Sequence, residues 1–233
     1  MCGRYILISA PDALGVHFGL ACLENFPARY NIAPTQPVLG MRQGRGGPEF
    51  VLMRWGLIPA WAKEVSSRPL INARAETICE KASFKHAFRR RRCLIPTDGF
   101  YEWRTQKGRK QPYLIRRKDK APFAFAAIWE SWMSPDGAEI ETVAIVTVEA
   151  NADMAPIHHR MPAILLPEAY DVWLDHRTED VTEAIGLLRP YPNGLLEAVP
   201  VGDRVNKATN EGADLVAPVD AAAPPGRQGA FDF

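Results

Sequence analysis

Short runs in which apolar and polar residues alternate recur along most of the chain. A period of two is typical of strands that pack one face against a core, and glycine, proline and asparagine residues separate many of these runs. The predicted strands span 4–8, 38–42, 50–57, 93–96, 100–104, 113–117, 123–132, 142–148, 163–166 and 195–199. The pattern therefore predicts a protein that is rich in β-sheet.

Helical periodicity is confined to four other parts of the chain. We predict helices at 11–18, 75–90, 167–174 and 180–188. Pro11 suits a first helical position, and the basic residues near position 90 suit the negative end of a helix dipole. Strands and helices do not alternate, which argues against a doubly wound parallel sheet. We therefore expect an α+β fold in which mainly antiparallel, twisted sheets form a barrel-like core with flanking helices.

The length and composition suit one domain with a short tail. The chain has 233 residues, of which 47% are hydrophobic and 24% charged, so it can bury a sizeable core. Alanine, proline and glycine dominate after residue 216, which predicts a domain at 1–216 and a flexible tail at 217–233. No apolar run approaches the roughly 20 residues that span a bilayer, and the N-terminus does not resemble a signal peptide. We expect a cytoplasmic monomer without membrane contact.

Charge is distributed unevenly, although the net charge is only +1. Residues 85–118 contain twelve lysines and arginines against two acids, whereas 130–184 contain twelve acids against two arginines. Such segregation would build one basic face, suited to nucleic acid, on a nearly neutral protein. The alternative is that the two stretches pair with each other in the fold, and composition leaves both alternatives open.

One of the four cysteines stands at a position with special chemistry. None belongs to a C-x-x-C pair or a finger-like spacing, so we expect no metal site. Removal of Met1 would place the α-amine of Cys2 beside its thiol, and since α-amines have a pKa of about 8, part of the amine is neutral near pH 7.5. An amine and a thiol on one framework can convert an aldehyde into an imine and then a thiazolidine ring. The alternative is an inert second residue behind a retained Met1.

Three further motifs carry groups suited to binding and proton transfer. Asn72 can orient a sugar oxygen while Arg74 reaches a phosphate, although both residues also suit the entry to a helix. Alternation places Glu102 on the strand face of Phe100, where a carboxylate partly removed from water can exchange protons near neutrality, unless it pairs with a nearby arginine. His158 is a candidate proton shuttle, or a loop histidine without a role.

Six short motifs occur in order along the chain and are specific as a set. They are MCGRY at 1–5, YNIAPT at 30–35, WGLIP at 55–59, NARAET at 72–77, GFYEW at 99–103 and HHRMP at 158–162. The set resembles the SOS-response-associated peptidase (SRAP) family of abasic-site processing proteins. Val205, Asn206 and Asn210 are similar to the family's C-terminal motif, so the resemblance covers about 2–216.

The resemblance implies a barrel-like α+β domain that captures abasic sites in single-stranded DNA covalently, without a cofactor, and shields the lesion in the DNA damage response. Cys2 matches the family's nucleophile and Asn72 the residue that positions the sugar and the cysteine. Glu102 and His158 match the acid–base pair. Six residues match positions along the DNA path: Arg4, Trp61, Arg74, Trp103, Thr147 and Arg160. Trp61 would stack on or wedge a base, and the protein would be associated with the nucleoid when bound to DNA.

Several functions stay open beside covalent capture. An imine-bearing sugar is prone to β-elimination, which would add lyase activity. A Cys–His–Glu set also suits a cysteine peptidase, in its simplest form one that removes its own Met1. An amidotransferase with an N-terminal cysteine would need a further domain, and the residues after 216 are too few to supply one. A non-covalent single-strand binder would use only the basic stretch.

Overall fold

The computed structural model describes residues 2–20, 26–106, 108–177 and 180–220. Its strands are β1 Tyr5–Leu7, β2 Arg29–Ile32, β3 Pro37–Gly44, β4 Gly47–Trp55, β5 Asn72–Arg74, β6 Arg92–Thr97, β7 Gly99–Gln106, β8 Arg109–Arg117, β9 Phe123–Met133, β10 Glu139–Glu149, β11 Arg160–Pro162, β12 Ile164–Leu165 and β13 Leu196–Pro200. Its helices are α1 Pro11–Phe18, α2 Lys85–Arg90, α3 Tyr170–Leu174 and α4 Thr182–Leu187. Strands dominate, as the alternating pattern predicts.

Five strands close into a barrel. β10 pairs with β9, β9 with β6, β6 with β3 and β3 with β4, all antiparallel, and a short parallel ladder between β4 and β10 closes the ring. β6 and β9 are buried on both faces because the barrel interior lies on one side and α2 and α3 pack on the other. The predicted α+β class with a mainly antiparallel, barrel-like core is confirmed.

A second sheet, in the order β13-β8-β7-β1-β2, packs against this barrel. Tyr5 of β1 pairs with Phe100 of β7 on one side and with Ile32 of β2 on the other. The rings of Tyr5 and Phe100 both meet Phe125 of the barrel edge-on, with centroids 5.9 and 5.8 Å apart. β1 therefore carries the N-terminal residues into the middle of the molecule.

The predicted helix at 75–90 is wrong as a single element. A 3-10 turn occupies Ala75–Thr77, and α2 begins only at Lys85. Ile78 and Phe84 are both buried in the same core. A continuous helix would rotate these two side chains about 120° apart, so the turns between them let both reach the core.

Three short strands are not predicted from the sequence pattern. β2, β5 and β11 have only three or four residues each, too few for a period of two to show. They carry Asn31, Asn72 and Arg160, all of which belong to the six motifs. Each of the three strands that the pattern does not reveal therefore positions a motif residue.

The chain pairs slightly beyond the predicted domain boundary at residue 216. Pro218 forms a bridge with Val201, and the Val219 N–H donates a 2.9 Å hydrogen bond to Pro200 O. Most of the predicted tail, 221–233, lies outside the described residues. Within the described part, no helix has the length and apolar character that crossing a membrane requires.

Candidate functional site

The N-terminal strand buries Cys2 at the centre of the molecule. Cys2 has no exposed surface, and Asn72 Nδ2 donates a 2.9 Å hydrogen bond to its carbonyl oxygen. Asn72 opens β5, which runs parallel to β10. Its other amide atom, Oδ1, is buried and accepts no hydrogen bond from the described part of the chain. The amide therefore holds the backbone of Cys2 and has an acceptor left for a ligand.

Glu102 lies within electrostatic range of both Cys2 and His158. Glu102 is 3% exposed on β7, where Phe100 is also buried. Burial raises the pKa of the Cys2 thiol, and the charge of Glu102 raises it further. Burial lowers the pKa of His158, while Glu102 opposes that shift. The three groups thus share one environment, in which the thiol is protonated and the imidazole neutral at pH 7.

The hydrogen bonds of His158 select one tautomer. His158 Nδ1 lies 2.9 Å from the Arg160 N–H and 3.1 Å from the Arg160 carbonyl oxygen. The backbone N–H can only donate, and a hydrogen on Nδ1 would face it at the shorter distance, so we assign Nδ1 as the acceptor. In the neutral imidazole the hydrogen then lies on Nε2. The ring also stacks on His159, with centroids 4.4 Å apart and planes at 24°. The imidazole is therefore oriented from two directions, as a proton donor requires.

The Arg160 side chain is buried and bonded inside the protein. Its Nη1 and Nη2 donate to Glu76 Oε1 and Oε2 at 2.7 and 3.0 Å, and Nη2 also donates to Thr147 O at 2.6 Å. Thr147 is itself fully buried on β10. Both residues lie behind the surface, so a contact of either with DNA stays a prediction and would require the Glu76 pair to open.

A groove of about 550 Å³ leads to Glu102 and His158. Its other lining residues are Trp103, Thr105, Lys110 and Asn206. Trp103 Nε1 donates a 2.7 Å hydrogen bond to Asn206 Oδ1, which fixes the indole at the wall of the groove. An aromatic ring and a lysine beside a carboxylate and an imidazole suit a nucleotide and its phosphate.

Polar side chains clamp the C-terminal part of the domain against β1 and β2. Arg4 Nη1 donates to Asn31 Oδ1 and to Val205 O, both at 2.8 Å. The buried Asn31 donates in turn from Nδ2 to Lys207 O and Asn210 O, both at 3.0 Å. This clamp supports one wall of the groove. Because Arg4 has these internal partners, its contact with DNA stays a prediction.

Three residues of this arrangement are absent from the sequence-based set of site residues. Asn31 lies in the YNIAPT motif and Asn206 in the C-terminal motif. The motifs therefore include both residues but do not predict a function for either. Lys110 stands among many basic residues, and nothing in the sequence distinguishes it from its neighbours. Only the fold brings these side chains to the groove.

The other two predicted DNA contacts are exposed. Arg74 lies two positions after Asn72 on β5, so the two side chains share a strand face. Trp61 is 67% exposed in the connection between β4 and β5, where it lines a separate cavity of about 670 Å³ with Leu57 and Pro59. Both side chains can meet a DNA strand from solvent.

The basic stretch at 85–118 pairs only partly with the acidic stretch at 130–184. Arg91 forms an ion pair with Glu130, which joins the two stretches. Arg116 pairs instead with Glu197, beyond the acidic stretch. The pairing alternative therefore holds only in part, and the β7–β8 hairpin that carries Lys110 borders the groove. The basic face stays a prediction.

The motifs around this site match a known family along most of the chain. The family model described as SOS response associated peptidase (SRAP) matches residues 1–208. The chain belongs to the SRAP family. The membership predicted from the six motifs is confirmed.

Relatives and solved structures extend the SRAP match. The abasic site processing protein YoqW of Bacillus subtilis is 39% identical over 222 residues, which cover 93% of this chain and 99% of that protein. The abasic site processing protein HMCES of Gallus gallus is 36% identical over 228 residues, covering 84% of this chain and 67% of that protein. A crystal structure of a Bacteroides thetaiotaomicron protein has a TM-score of 0.83 at 26% identity and covers 94% of this chain and 100% of that chain.

This SRAP domain gathers the four residues that the resemblance marks as catalytic. Asn72 is bonded to Cys2, and the charge of Glu102 acts on both Cys2 and His158. Their roles in a reaction stay predictions. Across the described ranges, no three histidine, cysteine or acidic side chains cluster as metal ligands.

Proposed function

We propose that the chain protects abasic sites in single-stranded DNA by bonding them covalently through Cys2, once Met1 has been removed. One observation carries the proposal: Asn72 is bonded to the buried Cys2, and the charge of Glu102 acts on both Cys2 and His158, at a groove that an aromatic ring and a lysine line. Relatives with high identity bear the name abasic site processing protein. The protein accordingly acts in the response to abasic DNA damage.

Ring opening of the abasic sugar comes first. The closed sugar is a hemiacetal. In the proposed step the Nε2–H of His158 protonates the ring oxygen, the bond between C1′ and the ring oxygen breaks, and the C1′ hydroxyl proton passes to water, which leaves the C1′ aldehyde. The buried Oδ1 of Asn72 can accept a hydrogen bond from a sugar hydroxyl or from the Cys2 amine. Holding both reactants in register is an orientation effect that can contribute several kcal/mol.

The amine of Cys2 attacks before the thiol does. Burial keeps the thiol protonated, so a thiolate is not the first nucleophile. Glu102 takes a proton from the α-ammonium group, the amine adds to C1′, and one water leaves to give the imine. The thiol then adds across the C=N bond: sulfur bonds to C1′, the proton passes to nitrogen, and the thiazolidine closes. One water is lost overall.

Strand cleavage is a side reaction of this route. Loss of a C2′ proton from the imine expels the 3′ phosphate, which is lyase chemistry, whereas ring closure removes the C=N bond and prevents that loss. Peptide hydrolysis fits less well, because cysteine peptidases use a thiol of lowered pKa and burial raises the pKa of Cys2. We therefore propose crosslinking as the main activity and lyase activity as a minor one.

Single-stranded DNA is the proposed partner. An abasic sugar must leave the strand axis to reach the buried Cys2, and a single strand has no base pair to break. Stacking on Trp103 tolerates any base, and the exposed Arg74 and Lys110 can each contact a phosphate. We propose a cytoplasmic monomer that joins the nucleoid on DNA, and size-exclusion chromatography with and without a strand tests the monomer.

An abasic single strand mixed with the purified protein tests covalent capture. On a denaturing gel and by intact mass we expect an adduct of the protein without Met1 plus the strand minus one water. Cys2→Ser keeps the amine but cannot close the sulfur ring, so it should give no stable adduct. Cys93→Ser is the matched control, because Cys93 is equally buried but lies on β6. A wild-type protein without an adduct, or an equally stable adduct of Cys2→Ser, refutes the proposal.

A further inference from the structure

The segment that orients Cys2 also reaches the histidine. Asn72 contacts the Cys2 carbonyl, and four positions later Glu76 forms its bidentate pair with Arg160. The Arg160 N–H is the donor that makes His158 Nδ1 an acceptor. One segment of five residues is therefore bonded to the backbone of the nucleophile and, through Arg160, to the imidazole.

The mechanism above uses neither Glu76 nor the guanidinium of Arg160. The Arg160 side chain is 8% exposed and is held by both Glu76 carboxylate oxygens and by Thr147 O. The hydrogen bonds from Arg160 lower the pKa of Glu76, so the pair is ionised at neutral pH. A guanidinium fixed at these points restrains its own backbone, and the adjacent N–H stays directed at His158.

We propose that Glu76 is a positioning residue that holds His158 in its Nε2–H tautomer through Arg160. Without the carboxylate, the guanidinium keeps only its bonds to Thr147, and the β10–β11 ladder alone directs the Arg160 N–H at Nδ1. The imidazole then exchanges between tautomers and presents Nε2 without its hydrogen for part of the time. The consequence for crosslinking rests on the proposed function, whereas the tautomer itself does not.

Nitrogen-15 spectra of the imidazoles test the tautomer in the DNA-free protein. For the wild type at pH 7.5 we expect an unprotonated Nδ1 and a protonated Nε2 in His158, with His158→Gln assigning the signals. Glu76→Gln should shift both signals toward the average of the two tautomers. Glu149→Gln is the matched control, because Glu149 is exposed and faces Arg160 across the β10–β11 ladder. A spectrum that Glu76→Gln leaves unchanged overturns the proposal.

Single-turnover crosslinking measures the consequence for the reaction. At saturating DNA, Glu76→Gln should slow the covalent step about tenfold or more, with affinity for a strand carrying a tetrahydrofuran analogue of the sugar within about twofold. In a His158→Gln background the same change should cause no further slowing, since its effect passes through the imidazole. Equal slowing in both backgrounds indicates a merely structural role and overturns the proposal. Tighter binding of the analogue at an unchanged rate overturns it too, because Glu76 would then compete with phosphate for Arg160.

A second variant, compared with measurements of stability, distinguishes a change of tautomer from a folding defect. Glu76→Asp keeps a negative charge beside Arg160, but its shorter side chain breaks the bidentate geometry, so the same change of tautomer is expected. Urea unfolding identifies the variants that are folded at the assay temperature. If the wild type forms no adduct, the proposed function fails while the spectra still decide the role of Glu76.

Discussion

Replacing Asn31 with alanine would break the clamp that closes the domain. Asn31 has no exposed surface, and its amide accepts from Arg4 and donates to Lys207 O and Asn210 O. A hydrogen bond contributes about 1 kcal/mol net, and each buried group left without a partner costs about 1–3 kcal/mol. Lys207 O keeps the N–H of Asn210 as a donor, and Asn210 O is only partly buried, so the loss comes mainly from the three bonds themselves. Asn31→Ala should therefore lower the free energy of unfolding by about 3 kcal/mol.

Urea unfolding followed by tryptophan fluorescence measures this loss. Asn193→Ala is the matched control, because Asn193 is exposed and accepts a single 2.9 Å bond from the Ala152 N–H. It should cost no more than about 1 kcal/mol. Limited proteolysis of Asn31→Ala should also cut within 203–211. A loss no larger than that of the control, with 203–211 still protected, refutes the assignment of the clamp.

Three further predictions address proton uptake, packing and DNA contacts. Burial lowers the pKa of His158, so on acidification the unfolded chain takes up a proton at a higher pH than the folded protein does. The free energy of unfolding should therefore fall as the pH decreases below about 6.5, and an identical pH dependence in His158→Gln contradicts this. A Cβ on Gly99 would lie 2.8 Å from a carbonyl oxygen of β8, so Gly99→Ala should destabilise by about 1–3 kcal/mol in thermal melts. A Cβ on Gly186 of α4 would meet no atom within 4 Å, so Gly186→Ala should instead stabilise the protein by up to about 1 kcal/mol. Equal melting temperatures of the two variants would contradict both expectations. Lys110→Ala should reduce the log–log salt slope of single-strand binding by about 0.7, whereas Lys118→Ala should not, and equal slopes exclude a Lys110 phosphate contact.

The length of an element decides how well the sequence predicts it. β9 and β10 have eleven residues each, so their pattern is unmistakable. β5 has three residues and depends on a parallel partner far along the chain, so the same letters also suit the start of a helix. The helix predicted at 75–90 fails for the opposite reason: local propensity favours it, but burial of two side chains in one core interrupts it.

Local sequence patterns predict some residues of the candidate site, whereas contacts between distant parts of the chain place the others. The burial of Glu102 follows from strand alternation, and motif order marks Asn72 and His158. The pairing of Glu76 with Arg160 joins residues 84 positions apart, and no local pattern encodes it. The burial of Arg160 is not predictable from the sequence, because an arginine is ordinarily at the surface. Only tertiary contacts place its side chain inside the protein.

The bond between Arg4 and Val205 spans 201 positions, which sets an order of events during synthesis. Almost the whole domain must leave the ribosome before the clamp can form. Until then the growing chain presents an open N-terminus to the peptidase that trims initiator methionine. Once the clamp forms, Cys2 is out of reach of any such enzyme. The proposed removal of Met1 would therefore precede folding, and the aminothiol would form before the pocket that restrains it.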